Sequence, residues 1–347
     1  MPHYQKRKKS KVKLPEEHNC HDTLLAQDST NVAIIAPILE TALGQLYESD
    51  CIEMMRAMAP DTVDLAFADP PFNLGKKYTS KINDLKSEAE YLEWCKNWLD
   101  EMIRVLKPGG SLFLWNLPKW NIPLGAYLGQ HLTFRHWISV DIKYSLPIAS
   151  RLYPSHYSLL YFVKGDKPAI FHPDRTPITC CRHCGGELRD YGGYKNKMNP
   201  KGVSLSDVWT DIPPVRHAKY KKREANGLPL KLMDRIIAMA SDPGSLVLDP
   251  FGGSGTTYVA AELTGRRWVG VELDCSAITE RFESLQGDTD HLKEIHGGKN
   301  TLFRREDLLK RSKSGKKLSK DYRIEPVEGD CECDSNQGTQ PGLFATP

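Results

Sequence analysis

The sequence predicts an α/β protein with a doubly wound, mostly parallel sheet. Short apolar segments typical of buried strands alternate with amphipathic segments typical of helices over most of residues 41–285. A glycine-rich turn separates one such strand from the next helix, and a proline-rich turn directly follows another strand. Turns that follow parallel strands lie together at one edge of the sheet, which is where proteins of this class bind ligands.

The first predicted unit is a strand, a helix and a second strand. A short segment LYESD is followed by the amphipathic CIEMMRAMA and then by VDLAFAD, whose unbroken apolar character suits a buried parallel strand. A long helix is predicted from about Ser87 to Leu106. Lys107-Pro-Gly-Gly marks its end, because Pro and Gly are favoured just past a helix. SLFLW predicts the next buried strand.

The second half is regular only at its two ends. Strands are predicted at residues 134–144 and 157–163, and residues 165–228 have so little periodicity that we expect an irregular insert. Regular structure returns with a helix at 230–240, the strand LVLD, the glycine-rich turn, a helix from about Thr256 and the strand WVGVEL. The flanks are expected outside this domain: a basic extension at 1–40, and a mobile tail at 286–347 that is basic and then acidic.

The charges of the chain are nearly balanced but unevenly placed. Its 347 residues carry 47 Lys and Arg against 44 Asp and Glu. Residues 1–13 hold six basic side chains and no acidic one, residues 201–223 hold six against two, and residues 304–323 hold nine against three. Basic segments of this kind are typical of nucleic-acid binding, and solvated tails are an equal explanation for the two terminal ones.

Composition excludes several classes of protein. The apolar run at residues 32–39 is far shorter than the roughly 20 residues that span a bilayer, and no secretory signal follows the basic start. Nine Cys, an odd and scattered number, do not make a disulfide framework. We therefore expect no membrane contact and a cytoplasmic, nucleoid-associated location.

The glycine-rich turn has the sequence Asp249-Pro-Phe-Gly-Gly-Ser-Gly-Thr-Thr. Its glycines allow the backbone to approach a ligand closely. The turn lacks the Lys of a phosphate-binding loop and the full G-x-G-x-x-G pattern, which disfavours ATP and NAD. Glu272 ends the next strand roughly 20 residues on, where a carboxylate can bond to ribose hydroxyls. Together these features predict a site for a nucleoside cofactor.

The proline-rich turn is Asp69-Pro70-Pro71-Phe72. It could simply end a strand, because Pro removes a backbone donor. Alternatively, the Asp69 carboxylate and the Pro70 carbonyl could accept both hydrogens of an exocyclic amino group on a base and aim its lone pair at a sulfonium methyl group. Phe72 would stack on the base for roughly 1–3 kcal/mol, against the few kcal/mol needed to flip it out of a duplex.

The segment LYESDCIEMMRAMAPDTVDLAFADPPFNLG, followed some 180 residues later by DPFGGSGTT and WVGVELD, resembles the S-adenosylmethionine-dependent DNA amino-methyltransferases of the beta arrangement. In these enzymes the catalytic motif precedes the cofactor motif. The resemblance covers about residues 45–285 and implies their Rossmann-like fold. It implies catalysis by Asp69, Pro70, Pro71 and Phe72, and cofactor binding by Asp50, Asp249, Phe251, Gly252, Gly253, Gly255, Thr256 and Glu272.

The same resemblance places the target-recognition region in the insert at 165–228. The expected contacts with double-stranded DNA are the basic residues Arg216, Lys219, Lys221, Lys222 and Arg223. Adenine is the expected target because Asp, and not Ser, precedes Pro-Pro, and the amino group of cytosine is the main alternative. RNA, a protein amide or a catalytically silent DNA-binding module are further alternatives. Ring methylation of cytosine is disfavoured, because the chain has no Pro-Cys pair. A cognate restriction system and a dimer are also compatible with the resemblance.

A further pattern within the insert is Cys181-Arg-His-Cys184-Gly-Gly, which resembles half of a zinc ribbon. A structural zinc takes four ligands, and the chain has no second C-x-x-C. His172 or His217 could supply a ligand, although neither has diagnostic spacing. Zinc bound by Cys181 and Cys184 would stiffen the insert, and reduced cysteines without metal are the alternative.

Overall fold

The structure, a computed structural model, describes residues 36–75, 85–141, 149–150, 152–172, 175–176, 203–213 and 227–297. Its strands are β1 (Leu39–Glu40), β2 (Gly44–Glu48), β3 (Val63–Ala68), β4 (Leu106–Asn116), β5 (Thr133–Asp141), β6 (His156–Val163), β7 (Arg175–Thr176), β8 (Val203–Ser204), β9 (Val208–Trp209), β10 (Leu246–Asp249) and β11 (Arg267–Glu272). Its helices are α1 (Cys51–Ala57), α2 (Glu88–Val105), α3 (Pro118–Leu128), α4 (Leu230–Ala240), α5 (Thr256–Leu263), α6 (Ser276–Phe282) and α7 (Gln286–His296).

One large sheet organises the chain, with the strand order β1-β2-β11-β10-β3-β4-β6-β5-β9. The five strands from β2 to β4 are parallel to one another, whereas β6 runs antiparallel to both β4 and β5. Strands β7 and β8 form a separate antiparallel pair. The predicted doubly wound, mostly parallel sheet is therefore confirmed, with antiparallel β1 at one end and antiparallel β6 near the other.

Helices cover both faces of this sheet because the central strands are apolar on both sides. In β3, Leu65 and Phe67 pack in a core with side chains of α4 and α5. Ala66 and Ala68 point to the other core, which contains side chains of α1, α2 and α3. The unbroken apolar character of VDLAFA thus reflects burial on two faces, as expected for a parallel strand.

Helix α2 begins where its sequence provides a capping box. The Ser87 hydroxyl accepts the Glu90 N–H, and the Glu90 carboxylate accepts the Ser87 N–H. The helix ends at Val105 as predicted, but Lys107-Pro-Gly-Gly belongs to β4, which already pairs with β3 at Leu106. The strand therefore starts earlier than SLFLW suggested.

Two boundaries of the predicted domain were wrong. The tail expected from residue 286 is instead helical over Gln286–His296, where Leu292 is buried and Nε2 of His296 lies 3.0 Å from a carboxylate oxygen of Asp234 on α4. At the other end, Leu39 and Glu40 belong to β1 and not to an extension. Residues 1–35 and 298–347 lie outside the described part. Within the described part, no helix is long and apolar enough to cross a membrane.

The insert expected at 165–228 is partly integrated with the domain. Its β9 joins the main sheet parallel to β5. Shortly after β9, the half-buried carboxylate of Asp211 accepts two hydrogen bonds from the Arg235 guanidinium, at 2.8 and 2.6 Å, and lies 2.9 Å from Lys231 Nζ. Burial alone would raise the pKa of Asp211, but these two cations hold it well below its usual range. Residues 208–213 of the insert are thereby fixed to α4.

Candidate active site

The two predicted motifs meet at one edge of the sheet. Strand β10 pairs in parallel with β3, so their carboxyl ends at Asp249 and Ala68 lie side by side. Strand β11 flanks β10 in the same direction and brings Glu272 to this edge. Parallel pairing therefore joins Asp69–Phe72 and the glycine-rich turn at a site of the kind that α/β proteins use for ligands.

The backbone of the Asp69–Phe72 corner is held by neutral side-chain donors. The Tyr91 hydroxyl of α2 donates to the Pro71 carbonyl at 2.6 Å, and Trp120 Nε1 of α3 donates to the Phe72 carbonyl at 2.8 Å. Asn116 Nδ2, at the end of β4, donates to the Tyr91 hydroxyl oxygen at 3.2 Å. The Tyr91 and Trp120 rings also pack together, with centroids 4.5 Å apart.

The four residues of the corner differ in how far they are exposed to solvent. Pro70 is buried, whereas Asp69, Pro71 and Phe72 are half-buried. The Phe72 ring lies 6.5 Å from the Tyr157 ring, measured between centroids. Asp69 therefore lies at the boundary between the core and solvent.

Asn73 closes the corner on its far side. It has a positive φ of 54°, which is uncommon for a residue other than glycine. Its side-chain amide accepts the Lys86 N–H at 2.7 Å and donates to the Lys86 carbonyl at 2.9 Å. The chain that leaves the corner is thus tied to the chain that enters α2.

The glycine-rich turn requires glycine at two positions for different reasons. Gly255 has a φ of 73° and begins α5, and a Cβ there would lie 2.9 Å from Ile278. Gly252 is buried, and a Cβ there would lie 2.5 Å from the Tyr258 hydroxyl. Gly253 also has a positive φ, of 52°, but it faces open space. The turn thus packs against the protein on one side and is open on the other.

Two carboxylates, Asp249, which is buried, and Glu272, which is half-buried, hold N–H groups of this turn. Asp249 accepts the Phe251 N–H at 3.0 Å and the Thr257 hydroxyl at 2.5 Å, and burial raises its pKa to about 7. Glu272 accepts the Gly253 N–H at 2.6 Å and the Leu273 N–H at 2.9 Å, and burial raises its pKa as well. The Asp274 N–H also bonds this carboxylate, which leaves it room for one more donor, such as a ligand hydroxyl.

The remaining predicted cofactor residues have clear places in the structure. Phe251 packs edge-on against Trp98 and Trp94, with ring centroids 5.0 and 5.9 Å away. Thr256 is buried in the first turn of α5. Asp50 caps α1 by accepting the Ile52 and Glu53 N–H groups at 2.8 and 3.2 Å. Its contact with the cofactor stays a prediction.

The turn fits a ligand with a carboxylate and a ribose. No side chain caps the start of α5, so the N–H groups of its first turn can be offered to an anion such as the carboxylate of an amino acid. The exposed Gly253 leaves space beside them, and Glu272 lies at the neighbouring strand end. S-adenosylmethionine, an amino acid joined through its sulfur to the ribose of adenosine, has both groups.

Several predicted residues lie outside the described residues, and their roles stay predictions. These are the zinc candidates Cys181 and Cys184, and the DNA contacts Arg216, Lys219, Lys221, Lys222 and Arg223. Among the residues that the structure does describe, no group of three or more His, Cys, Asp or Glu is arranged to hold a metal ion.

Sequence reasoning missed the side chains that support the corner. Tyr91 falls within the helix predicted from about Ser87 to Leu106, with no sign of its contact, and α3, which carries Trp120, is not predicted from the sequence. Their partners are 20 and 48 residues away along the chain, so no local pattern reveals these contacts.

Comparison with known proteins identifies the family. Residues 63–282 match the N6/N4 methyltransferase family, described as DNA methylase. The type II methyltransferase M.BamHI of Bacillus amyloliquefaciens is 53% identical over 83% of this chain and 69% of its own. The DNA adenine methyltransferase YhdJ of Escherichia coli strain K12 is 31% identical over 67% of this chain and 79% of its own.

Solved structures agree on the fold. The cytosine-N4-specific PvuII DNA methyltransferase has a TM-score of 0.52 at 19% identity, covering 76% of this chain and 94% of that one. The predicted fold class, family and cofactor are confirmed. The chain therefore belongs to the N6/N4 DNA methylase family and uses S-adenosylmethionine as its methyl donor.

Proposed function

We propose that this DNA methyltransferase transfers a methyl group to the exocyclic amino group of a base flipped out of double-stranded DNA. One observation carries the proposal. Asp69 and the glycine-rich turn lie at the carboxyl ends of adjacent parallel strands, while Tyr91 and Trp120 fix the backbone that follows Asp69. An acceptor site is thus built beside the expected position of the methyl donor.

The residues of the corner would act by orientation. The Asp69 carboxylate and the Pro70 carbonyl would accept the two amino hydrogens. The nitrogen lone pair would then be less delocalised into the ring and would point at the methyl group. Phe72 would stack on the base. Bound S-adenosylmethionine supplies a methyl group on a positively charged sulfur. The C–N bond then forms as the C–S bond breaks, and the amino group afterwards loses one proton to solvent or to Asp69. Alignment of two bound reactants can remove up to roughly 7–11 kcal/mol of a barrier.

The described cysteines do not support a covalent mechanism. Cys51, Cys95 and Cys275 are buried free thiols, and burial raises the pKa of each to about 12. A thiol of that kind is a poor nucleophile at neutral pH, because the thiolate is the reactive form. Methylation at an amino nitrogen needs no such nucleophile.

Adenine is the first candidate base and cytosine the second. Asp69 before Pro-Pro favours adenine by family resemblance, and YhdJ, at 31% identity, is named as an adenine methyltransferase. The two acceptors would serve the amino group of cytosine almost equally well, so cytosine N4 is kept as the alternative.

DNA is proposed to bind along the insert. The basic residues from Arg216 to Arg223 lie between two fixed points, Asp211 at α4 and Gly227, where a Cβ would lie 2.6 Å from Ser254 Oγ in the glycine-rich turn. After these basic residues the chain rejoins the described domain at Gly227, beside the glycine-rich turn, and this order along the sequence suits contacts with phosphates near the cofactor site. The similarity to M.BamHI supports a role beside a cognate restriction enzyme.

Methyl transfer with labelled S-adenosylmethionine tests the proposal. Purified protein is incubated with the labelled donor and duplex DNA of mixed sequence, and the nucleosides are separated. Label in N6-methyladenine supports the first candidate, and label in N4-methylcytosine replaces it with the second. Label in 5-methylcytosine, or in no nucleic acid at all, would overturn the proposed chemistry.

A further inference from the structure

An arginine outside both motifs spans the glycine-rich turn. Arg281 on α6 donates through Nη1 to the Ser254 carbonyl at 2.8 Å and to the Thr256 hydroxyl oxygen at 3.0 Å. These two residues flank Gly255, whose positive φ turns the chain into α5. The guanidinium therefore bridges the turn at the point where its conformation is most demanding.

Asp288 on α7 orients the Arg281 guanidinium. Asp288 accepts Arg281 Nε at 2.9 Å and Nη2 at 2.7 Å, one on each carboxylate oxygen. Both side chains are only about one-fifth exposed, at 19% and 20%. A bidentate pair fixes the plane of the guanidinium as well as its position. With Nε and Nη2 engaged by Asp288, Nη1 is directed at the turn.

Helix α7, which carries Asp288, lies beyond residue 282, where the family match ends. It is nevertheless packed on the domain. Leu292 is buried, and His296 lies 3.0 Å from Asp234 on α4. Asp288 is therefore held by a helix that is itself packed on the domain.

The hydrogen bond from Arg281 also orients the Thr256 hydroxyl. Because its oxygen accepts a hydrogen bond from Arg281, its own hydrogen must point elsewhere, and the neighbouring Ser254 hydroxyl lies 3.3 Å away. The pair thus orients both the backbone of the turn and a hydroxyl in the first turn of α5.

We infer that Arg281 and Asp288 are positioning residues that set the affinity for S-adenosylmethionine by holding the glycine-rich turn in its binding conformation. The inference rests on the proposed role of that turn in cofactor binding. Neither residue takes part in the methyl transfer itself, so the pair acts on cofactor affinity and not on the rate at saturation.

Cofactor titration of matched variants tests the pair. The full chain is compared with Asp288→Asn, Arg281→Lys and a control, Asp290→Asn. Asp290 lies on the same helix, but its pair with Lys293, at 3.4 Å, is largely exposed. Calorimetry gives the Kd for S-adenosylmethionine, and steady-state kinetics give kcat and KM for both substrates. Thermal unfolding is followed in parallel.

We expect Asp288→Asn and Arg281→Lys each to raise the Kd and KM for S-adenosylmethionine about tenfold, as for one lost charge-assisted hydrogen bond. The kcat at saturating cofactor and the KM for DNA stay near wild type, the control matches wild type, and Asp288→Glu restores most of the affinity. Arg281→Lys carries the test if Asp288→Asn does not fold.

Unchanged affinity in both variants would overturn the inference. So would parallel losses of kcat, DNA binding and thermal stability, because these indicate a general structural role. If the wild-type protein binds S-adenosylmethionine and methylates DNA, and the variants bind the cofactor equally well, only the role of Arg281 and Asp288 is refuted. If the wild-type protein binds no S-adenosylmethionine, the proposed role of the glycine-rich turn in cofactor binding is refuted as well.

Discussion

The two turns at the sheet edge are held in opposite ways. In the Asp69–Phe72 corner, neutral donors on Tyr91 and Trp120 bind backbone carbonyls. In the glycine-rich turn, the buried carboxylate of Asp249 and the half-buried carboxylate of Glu272 bind backbone N–H groups. The corner thus relies on groups that carry no charge near neutral pH, whereas the turn relies on groups that titrate.

The difference matches what each turn is proposed to bind. An amino group brings hydrogens and needs fixed acceptors, which neutral donors on the neighbouring carbonyls can position without adding charge. An amino-acid carboxylate needs N–H donors, and carboxylates behind the turn can hold those donors in place. The two turns should therefore respond differently to pH and to substitution.

The largest expected effect is the pH dependence of stability caused by Asp249. Its pKa is about 7 in the folded protein against an ordinary 3.8, so between these values the folded state binds more protons than the unfolded chain. The free energy of unfolding should therefore fall as pH rises through this window, by up to about 4 kcal/mol. Urea unfolding of the cofactor-free protein at several pH values measures this slope.

Asp249→Asn should flatten that slope, because the amide does not titrate. Tyr91→Phe, at the corner, should leave it unchanged. Equal slopes for wild type and Asp249→Asn would show that this carboxyl does not carry the effect.

Gly255→Ala should have the next largest effect. A left-handed conformation costs a non-glycine residue about 1–2 kcal/mol, and the new methyl group would also lie 2.9 Å from Ile278. Gly265→Ala is the matched control, because Gly265 has a similar φ of 75° with nothing within 4 Å of its added Cβ.

We expect the control to lose roughly 1 kcal/mol of stability and Gly255→Ala to lose roughly 2–3 kcal/mol together with cofactor affinity. Chemical denaturation and S-adenosylmethionine titration measure the two losses. Similar losses in the two variants would mean that packing against Ile278 does not shape the turn.

The smallest expected effect belongs to the corner. Tyr91→Phe removes the hydroxyl that donates to the Pro71 carbonyl, worth about 1 kcal/mol, or roughly a fivefold lower rate of methyl transfer. Tyr161→Phe removes another buried hydroxyl, paired with Ser111 at 3.3 Å in the same sheet, and should leave the rate unchanged. Single-turnover kinetics compare the two. The same loss of rate in both variants would reduce Tyr91 to a general packing residue.

The sequence predicts those features that depend on residues close together along the chain. The apolar run VDLAFA and the glycines after Asp249 predicted their strand and turn, because burial on two faces and close backbone approach leave direct marks in composition. Parallel pairing then brought both motifs to one edge, as α/β topology requires.

What could not be predicted depends on tertiary contacts. Helix α7 is polar and buries Leu292 alone among its residues, so its spacing carries almost no signal. Helix α3 contains Pro123, which argues locally against a helix. Arg281 reaches Ser254 across 27 residues, and only the folded chain shows the contact.

Asp69→Ala tests the central claim most directly, measured as the single-turnover rate of methyl transfer to duplex DNA beside the Kd for S-adenosylmethionine. Because Asp69 is proposed to accept a hydrogen of the amino group, we expect the rate to fall about 100- to 1,000-fold, as when one preorganised hydrogen-bonding partner is removed from an active site. Cofactor affinity should be unchanged, because the glycine-rich turn is intact. Full-rate methylation by Asp69→Ala would contradict the account.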